Sequence, residues 1–309
     1  MKTKLISAII PTRNRPELLL RAAKSALAQT YENIEVVVVV DGQDLATSKV
    51  LESIVDERLQ VVALEQSVGG GAARNEGVRH AKGDWIAFLD DDDEWLPEKL
   101  VKQVAQANAS KHRQPIISSR VVARAPKCDY IWPRRLPRIN EHIAEYLFNR
   151  GGLFQGEGLI ATSSILAPKA LLLAVPFRHL RKHQDWDWVL RATMQPGGGV
   201  EFYDEPLSIW YVDQESRSIS NTDDWRFSLS WAEEMRGTMP PRAYAGFLLT
   251  VVAAQAATVT SRREYFRILQ EARLRGAPNV TNVALFFGMR AVPRGVRRRL
   301  RALWGKGNR

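Results

Sequence analysis

Residues 34–40, IEVVVVV, form an almost unbroken run of β-branched side chains. Such a run is typical of a strand buried on both faces of a parallel sheet, because a strand with one wet face would alternate polar and apolar residues. Parallel strands must be joined by a long crossover connection, which is usually a helix. The run therefore predicts a sheet built from repeated strand–helix–strand units.

The neighbouring segments have the alternation that such a sheet requires. Predicted strands lie at 5–10, 34–40, 59–64, 85–89, 116–122, 160–167 and 205–212, and predicted helices lie at 17–27, 44–55, 70–80, 97–108 and 183–193. This order predicts an α/β fold, namely a doubly wound, mostly parallel sheet with helices on both faces. Residues 124–160 are rich in Pro, Arg, Trp and Gly and predict a long irregular excursion. From about residue 223 the pattern is helical, which predicts a C-terminal helical extension.

The charge of the chain is concentrated at its C-terminal end. The chain has 309 residues and a net charge of +10, and residues 272–309 hold ten Lys or Arg and no Asp or Glu. The remaining 34 basic residues balance the 34 acidic ones. This pattern indicates a neutral globular body with a cationic end, unlike a uniformly basic nucleic-acid-binding protein. The single cysteine, Cys128, excludes an intrachain disulfide.

Two segments have some features of membrane or export signals. The N-terminal apolar run stops at Pro11 and is followed by Arg13, so it is too short for a signal peptide and is interpreted as the first strand. Residues 243–261 carry no charge but are weakly apolar, which favours a buried helix over a transmembrane span.

Carboxylates follow two of the predicted strands. Asp41 ends the strand at 34–40, and Asp90, Asp91, Asp92 and Asp93 end the strand at 85–89. Like charges about 4 Å apart repel by about 1 kcal/mol in water and by more in a pocket of low dielectric. A solvated acidic loop tolerates this repulsion, and a divalent cation with oxygen ligands cancels it. Because the carboxyl ends of parallel strands share one edge of a sheet, the two groups together favour a binding site.

Five motifs in a fixed order carry a resemblance to a known family. They are IIPTRNRPELL, VVVVVDG, GGGAARNEG, GDWIAFLDDDDEWLPEKL and HQDWDWVLR, within residues 4–215. This series resembles family 2 glycosyltransferases, the GT-A fold enzymes that transfer a sugar from a nucleotide-sugar. The resemblance implies a GT-A (Rossmann-like) domain at 1–222, with a nucleotide-sugar half at about 1–123 and an acceptor half at about 124–222. A C-terminal helical region at 223–309 would follow.

The resemblance also assigns the donor side of the site. It implies that Asp92 binds a divalent metal, Mn²⁺ or Mg²⁺, and that Asp90 and Asp91 hold the ribose or the water molecules of the metal. Asp41 would accept the imide N–H of a base, and its alternative is a helix-cap or turn role before Gly42. The implied nucleotide-sugar-binding residues are Pro11, Thr12, Arg15, Asp41, Arg74, Asp90 and Asp91. Arg15 could instead brace the loop in which it lies. Arg74 could instead form a structural salt bridge.

On the acceptor side, Asp185 matches the catalytic base of the family. The residue before it, usually Glu, is Gln184 here, and the alternative is that Asp185 and Asp187 are surface residues of a helix. A later family motif ends in a histidine that is sometimes a further metal ligand. Asp213 takes its place here, which makes Asp213 a second candidate metal ligand.

These features imply an inverting, metal-dependent glycosyltransferase of the hexosyltransferase type. It would act on a hydroxyl of a glycan or lipid-linked acceptor in bacterial cell-envelope polysaccharide synthesis, in the cytoplasm or peripherally on the inner face of the membrane. One alternative is a nucleotidyltransferase that makes nucleotide-sugars, but PTRNRPELL lacks the glycines that it would need. The other is a non-catalytic nucleic-acid-binding protein, which leaves the carboxylates unexplained.

The basic tail at 290–309 suggests a further contact. It places apolar residues near one face of a possible helix and arginines elsewhere, which suits the surface of an anionic membrane. A solvated basic end is the alternative. Nucleic acid is not an expected partner.

Overall fold

A computed structural model of the protein describes residues 4–126, 128–152, 158–212, 224–292 and 296. The chain forms two compact units, which we call the sheet unit (residues 1–133 and 160–216) and the helical unit (residues 134–159 and 217–309). Residues 134–159 thus fold with the C-terminal helices, although the sequence grouped them with the preceding domain. The domain limits at 123 and 222 stay predictions.

The sheet unit is built around one mixed sheet. Its described strands are β1 (Ile6–Thr12), β2 (Ile34–Val40), β3 (Leu59–Ala63), β4 (Trp85–Phe88), β5 (Glu94–Trp95), β6 (Gln114–Arg124), β7 (Asp129–Trp132), β8 (Leu166–Pro168) and β9 (Gly198–Tyr211). They lie in the order β3-β2-β1-β4-β8-β6-β9-β5, with β7 paired to β6. The pairs β1–β2, β1–β4, β2–β3 and β6–β9 are parallel. The predicted doubly wound, mostly parallel α/β fold is confirmed.

Helices connect and cover these strands. They are α1 (Pro16–Leu27), α2 (Leu45–Glu52), α3 (Gly70–His80), α4 (Lys99–Ala109), α6 (Lys169–Ala174) and α7 (Gln184–Thr193). Every residue of β2 is buried, as its β-branched run predicts. Leu19 of α1, Val38 of β2 and Leu100 of α4 belong to one apolar core cluster in which each is fully buried.

The irregular excursion predicted at 124–160 is only partly irregular. Residues 129–132 form β7, an antiparallel edge strand on the end of β6, and residues 143–148 form a short helix, α5 (Ile143–Phe148). The strand predicted at 160–167 is reduced to β8, which runs antiparallel to both β4 and β6. Strand direction depends on tertiary pairing, which a local pattern of this length does not specify.

The topology collects the ends of several strands at one edge of the sheet. β4 is parallel to β1, and β6 is antiparallel to β8, which is itself antiparallel to β4. The carboxyl ends of β1, β2, β4, β6 and β9 therefore face the same edge. This edge is where ligands bind in open sheets of this class.

The helical unit packs aromatic rings between its helices. Besides α5, it holds α8 (Trp225–Glu234), α9 (Pro241–Phe247), α10 (Ala253–Ala256), α11 (Arg262–Arg275) and α12 (Val280–Ala291). A π-helical turn, Leu248–Val252, joins α9 to α10. The ring of Phe247 lies 5.0 Å from that of Phe148 and 4.9 Å from that of Trp231. Among the helices described, none combines the length and hydropathy needed to cross a bilayer.

Candidate active site

The four aspartates form a tight turn directly after β4. The amide of Asp93 donates to the carbonyl oxygen of Asp90 at 3.1 Å and closes the turn. The side chains of Asp90 and Asp92 are each 31% exposed, whereas that of Asp91 is 8% exposed. Exposed and buried carboxylates thus alternate along the turn. The accessible pair at the edge of the sheet is Asp90 and Asp92.

Two arginines from distant parts of the chain neutralise this turn. Nη1 of Arg15 lies 3.1 Å from a carboxylate oxygen of Asp91 and 3.1 Å from one of Asp92. Arg74 forms an ion pair with Asp90. The buried hydroxyl of Thr12 donates to Asp91 at 2.8 Å. These contacts favour the bracing role for Arg15, and direct nucleotide contacts of Thr12 and Arg15 stay predictions, as does that of Pro11.

The turn retains an excess of negative charge despite these partners. Burial raises the pKa of Asp91 to about 6, although the positive charge of Arg15 opposes the shift. Burial and then the charge of Asp90 raise the pKa of Asp92. The pKa of Asp93 is raised well above its usual range by burial, with the charges of Asp90 and Asp92 adding to the effect. A further cation at this turn would therefore be stabilising.

A buried serine holds both ends of the turn. The hydroxyl of Ser163 accepts from the amide of Asp90 at 3.1 Å and donates to the carboxylate of Asp93 at 2.5 Å. Its carbonyl oxygen accepts from the indole N–H of Trp95 at 2.9 Å, so Trp95 packs beneath the turn. Ser163 had no signal in the sequence, because nothing local connects it to residues 70 positions earlier.

Asp41, at the end of β2, fixes the turn that starts α3. Its carboxylate accepts from the hydroxyl of Ser67 at 2.9 Å, the amide of Val68 at 2.6 Å and the amide of Gly69 at 3.0 Å. Gly69 has a φ of +85°, a conformation that favours glycine. A carboxylate offers about four acceptor positions, so one remains for another donor. Asp41 thus holds the segment before α3, which is neither the helix cap nor the turn before Gly42 that the sequence offered as its alternative role. Its contact with a base stays a prediction.

Arg74 also connects the carboxylate turn to α7. While it pairs with Asp90, its Nη1 donates to the side-chain oxygen of Gln184 at 3.3 Å. Asn75, the next residue, exchanges two hydrogen bonds with the backbone of Phe177, at 2.8 and 2.9 Å. The salt-bridge role of Arg74 is therefore present, and α3 holds the segment that leads into α7.

The two aspartates of α7 have different environments. Asp185 is half-buried in the first turn, and burial raises its pKa to about 6. Arg74 lowers that pKa and Asp90 raises it, which places both charges near Asp185. Asp187 is fully buried and forms ion pairs with Arg178 and Arg191, so the interpretation of Asp187 as a surface residue is wrong. The role of Asp185 as catalytic base stays a prediction.

Aromatic rings surround the start of α7. Trp188 is buried and stacks on Phe177, with ring centroids 5.4 Å apart, so it belongs to the core. Trp186 is half-buried and stacks on His183 at 5.0 Å with an angle of 8° between the rings. Burial lowers the pKa of His183 to about 4, so its ring is neutral at physiological pH. The sequence did not single out His183, whose left-handed backbone begins the helix.

The donor set fits a partial metal site. Among the described residues, no group of three His, Cys, Asp or Glu side chains is arranged to hold a metal ion by itself. Mg²⁺ in phosphate-transfer sites commonly takes one or two carboxylates and completes its shell with substrate phosphates and water. The accessible carboxylates Asp90 and Asp92, on a turn where two arginines face four aspartates, match that requirement. The second candidate ligand, Asp213, lies outside the described residues.

Comparison with known families settles the class of protein. The family model for glycosyl transferase family 2 matches residues 7–161. This range runs from the second residue of β1 through β7 and includes the carboxylate turn, and it ends two residues before Ser163. The chain belongs to glycosyl transferase family 2. Membership sets aside both the nucleotidyltransferase and the nucleic-acid-binding alternatives.

Relatives within glycosyl transferase family 2 include enzymes of polysaccharide synthesis. The chain is 29% identical over 247 residues to the amylovoran biosynthesis glycosyltransferase AmsB of Erwinia amylovora. This match covers 76% of this chain and 79% of AmsB. It is 36% identical over 101 residues to WfaP of Escherichia coli, a UDP-Glc:alpha-D-GlcNAc-diphosphoundecaprenol beta-1,3-glucosyltransferase. That match covers 33% of this chain and 40% of WfaP, so the similarity is confined to part of each protein.

Solved structures share the fold of this family 2 chain. S. aureus TarS 1–349 in complex with UDP-GlcNAc superimposes with a TM-score of 0.55 at 18% identity, over 88% of this chain and 72% of TarS. The mannosyltransferase PcManGT of Pyrobaculum calidifontis, in complex with GDP-Man and Mn²⁺, gives 0.57 at 19% identity, over 99% of this chain and 89% of that one. These likenesses confirm the predicted GT-A fold.

We predict that Ser163→Ala will weaken binding of a nucleoside diphosphate with Mn²⁺ by about tenfold or more, as loss of an outer hydrogen bond to a ligand-bearing segment commonly does. The substitution removes the acceptor of the Asp90 amide and the donor to buried Asp93. Isothermal titration calorimetry with the diphosphate that binds wild type would measure the effect.

Ser164→Ala is the matched control. Ser164 is equally buried, but its hydroxyl contacts the carbonyl of Ala161 and the hydroxyl of Ser118 instead of the turn. Each variant should lose about 1–3 kcal/mol of unfolding free energy through a broken buried hydrogen bond. Equal weakening of ligand binding in both variants would contradict the role given to Ser163.

Proposed function

We propose that the protein is an inverting, divalent-metal-dependent glycosyltransferase of the hexosyltransferase type. It would transfer a sugar from a nucleotide-diphosphate sugar to a hydroxyl of a glycan or lipid-linked acceptor. One observation carries the proposal: Arg74 contacts both Asp90 of the carboxylate turn and Gln184, the neighbour of Asp185. One guanidinium thus connects the two parts of the site. It contacts the carboxylate turn, which suits a metal diphosphate, and the residue next to the candidate base Asp185.

Asp185 is the group that we assign to proton removal from the acceptor hydroxyl. A general base works best when its pKa is close to the pH at which it operates. Burial brings the pKa of Asp185 to about 6, so the carboxylate is ionised at neutral pH yet more basic than an ordinary aspartate. Its place in the first turn of α7 adds the favourable interaction of a carboxylate with a helix N-terminus.

The donor diphosphate would be held by charge at the turn. Asp92, with Asp90 beside it, would bind Mn²⁺ or Mg²⁺, which neutralises the developing charge of the departing diphosphate as a Lewis acid. Arg74 supplies positive charge on the protein side. Its Nε is buried and lacks a hydrogen-bond partner among the described residues.

The names of the relatives support the substrate class. AmsB acts in amylovoran biosynthesis, WfaP transfers glucose to a diphosphoundecaprenol-linked sugar, and other relatives belong to succinoglycan and teichuronic acid synthesis. The solved neighbours bind UDP-GlcNAc, and GDP-Man with Mn²⁺. We therefore place the protein in bacterial cell-envelope polysaccharide synthesis, with a glycan or lipid-linked acceptor.

We also propose peripheral contact with the inner face of an anionic membrane. Nearly all of the tail at 290–309 lies outside the described residues, but α12 leads into it. The side chains of Val280, Ala284, Phe287 and Ala291 are exposed and recur every three or four residues, which places them along one side of α12. An exposed apolar stripe beside a polybasic segment suits an anionic bilayer surface.

Thermal-shift titration with UDP, dTDP, GDP and CDP, each with and without Mn²⁺, tests the donor site. We expect one diphosphate to raise the melting temperature by several degrees in the presence of Mn²⁺, because a ligand at 100 times its Kd stabilises a fold by about 2.7 kcal/mol. Asp92→Ala should abolish the shift. Asp84→Ala, which removes an exposed carboxylate just before β4 at its other end, should preserve it.

The proposed metal-diphosphate site would be wrong if no diphosphate stabilised the wild type. It would also be wrong if Asp84→Ala and Asp92→Ala responded alike.

The base role predicts a pH dependence. Asp185 must be ionised to accept a proton, so turnover should fall as the pH is lowered through about 6 and level off above it. Asp185→Asn should reduce turnover by about 10²- to 10⁴-fold. Release of nucleoside diphosphate from the donor, measured between pH 4.5 and 8, reports both effects.

Nucleotide affinity over the same pH range is the control, because the pKa of Asp91 is also about 6. The Asp185→Asn variant should bind the diphosphate as wild type does. If Asp185→Asn retained most of the wild-type turnover, Asp185 would be excluded as the base.

Vesicle co-sedimentation tests the membrane contact. We expect binding to vesicles that contain phosphatidylglycerol and little binding to pure phosphatidylcholine, since each cation near an anionic surface contributes about 1 kcal/mol. Replacing Arg297, Arg298 and Arg299 by Gln should release the protein. The same charge change at exposed Lys82, Lys111 and Arg242 should not, and equal release by both variants would argue against a specific tail contact.

A further inference from the structure

We propose that Arg21 of α1 is a positioning residue for the divalent metal, because it fixes the peptide unit that follows Asp92. The inference rests on the proposed function and extends its metal site beyond the residues that would bind the ion. It follows from the contacts of one guanidinium group and from the hydrogen bonds of one peptide unit in the carboxylate turn.

The peptide unit between Asp92 and Asp93 is bonded on both sides. Nη2 of Arg21 donates to the carbonyl oxygen of Asp92 at 2.6 Å. The N–H of the same unit, which belongs to Asp93, donates to the carbonyl oxygen of Asp90 at 3.1 Å. Because a peptide unit is planar, holding its C=O and its N–H fixes the orientation of the whole unit. This restricts the directions that the Asp92 side chain can take from the backbone.

Asp92 is therefore held at two points. Nη1 of Arg15 lies 3.1 Å from a carboxylate oxygen of Asp92, and Arg21 holds the carbonyl oxygen of the same residue. The Asp92 side chain nevertheless remains 31% exposed at the edge of the sheet. A metal ligand that is already fixed but still accessible loses little conformational freedom when the ion binds, so contacts of this kind raise metal affinity.

The charge of Arg21 is balanced by a residue outside the four aspartates. Its Nε lies 3.0 Å from Oε1 of Glu94 but makes no hydrogen bond within the described part of the chain, so this contact is an ion pair. The hydroxyl of Tyr211 donates to the same oxygen of Glu94 at 2.5 Å and holds that carboxylate in place. Arg15 and Arg74, in contrast, pair with aspartates of the turn. We therefore assign Arg21 to the geometry of the turn and not to its neutralisation.

An aromatic ring fixes the orientation of the Arg21 guanidinium. Its central carbon lies 3.9 Å from the ring centroid of Tyr211, at the end of β9. A planar guanidinium can stack on a ring and donate from its edge at the same time, which a lysine ammonium cannot do. The backbone amide of Tyr211 also donates to the carboxylate of Asp93. Arg21 thus lies where α1, the carboxylate turn and β9 meet.

A second polar residue of α1 allows a stabilising role to be separated from a role in metal binding. Ser25, one helical turn after Arg21, accepts at its hydroxyl from the amide of Trp95 at 3.1 Å. Both residues connect α1 to the segment that follows β4. Ser25 contacts this segment beyond the four aspartates, whereas Arg21 contacts the turn itself.

Isothermal titration calorimetry with UDP, dTDP, GDP and CDP, each with and without Mn²⁺, tests the role of Arg21. The quantity compared is the metal enhancement, defined as the Kd of a diphosphate without Mn²⁺ divided by its Kd with Mn²⁺. We expect an enhancement for at least one diphosphate in wild type. Arg21→Met keeps an unbranched apolar side chain and removes every donor, so it should reduce the enhancement by about tenfold or abolish it. Arg21→Lys should retain more of it, because an ammonium can still donate to the carbonyl of Asp92.

Ser25→Ala and Lys24→Met are the matched controls. Ser25→Ala removes a hydrogen bond between α1 and the same segment, and Lys24→Met makes the same change of charge at an exposed position of α1. Both variants should keep the wild-type enhancement. Melting temperatures without ligand measure how far each variant destabilises the fold, and the enhancement should not follow them.

The role of Arg21 is overturned by any of three results: Arg21→Met keeps the wild-type enhancement, Ser25→Ala loses as much of it, or Arg21→Lys retains no more of it than Arg21→Met. These results leave the proposed function standing. Absent nucleotide binding in wild type, or binding that Mn²⁺ does not strengthen, would overturn the proposed metal-diphosphate site itself and with it the role of Arg21.

Discussion

Four adjacent carboxylates lie at the end of β4 because distant groups balance their charge and hold their geometry. Arg15 pairs with Asp91 and Asp92, Arg74 pairs with Asp90, and Ser163 bonds both ends of the turn. Each contact fixes a different segment: the loop after β1, the start of α3 and the segment before β8. The carboxylate turn thus organises the edge of the sheet, and the charge that remains gives it affinity for a cation.

The sequence predicted the parts of the fold that local pattern determines. The β-branched run of β2 requires burial on both faces, and the structure buries all of it. The helices at 16–27 and 70–80 follow from amphipathic spacing and from the glycines before α3. The direction of β8 and the existence of β7 were not predictable in this way, because both depend on which strand lies alongside.

The sequence predicted which residues belong to the candidate site better than it predicted the role of each one. The resemblance brought Asp41, Asp90–Asp92 and Asp185 to attention, and the structure gathers acidic strand ends at one edge. Asp185 and Asp187 looked alike in sequence, two positions apart on one helix. They differ because Arg178 and Arg191 enclose Asp187. Only Arg191, four residues on, was visible as a helical partner.

Gln184 shows how one departure from the family pattern changes the electrostatics of the site. Its amide oxygen accepts a hydrogen bond from Arg74 without a charge of its own. Arg74 therefore pairs with Asp90 and also acts on Asp185 through space. Its positive charge lowers the pKa of Asp185 and opposes the effect of burial. A glutamate at 184 would compete for Arg74 and add a negative charge beside Asp185. Both effects would raise the pKa of Asp185, whereas the uncharged glutamine adds neither.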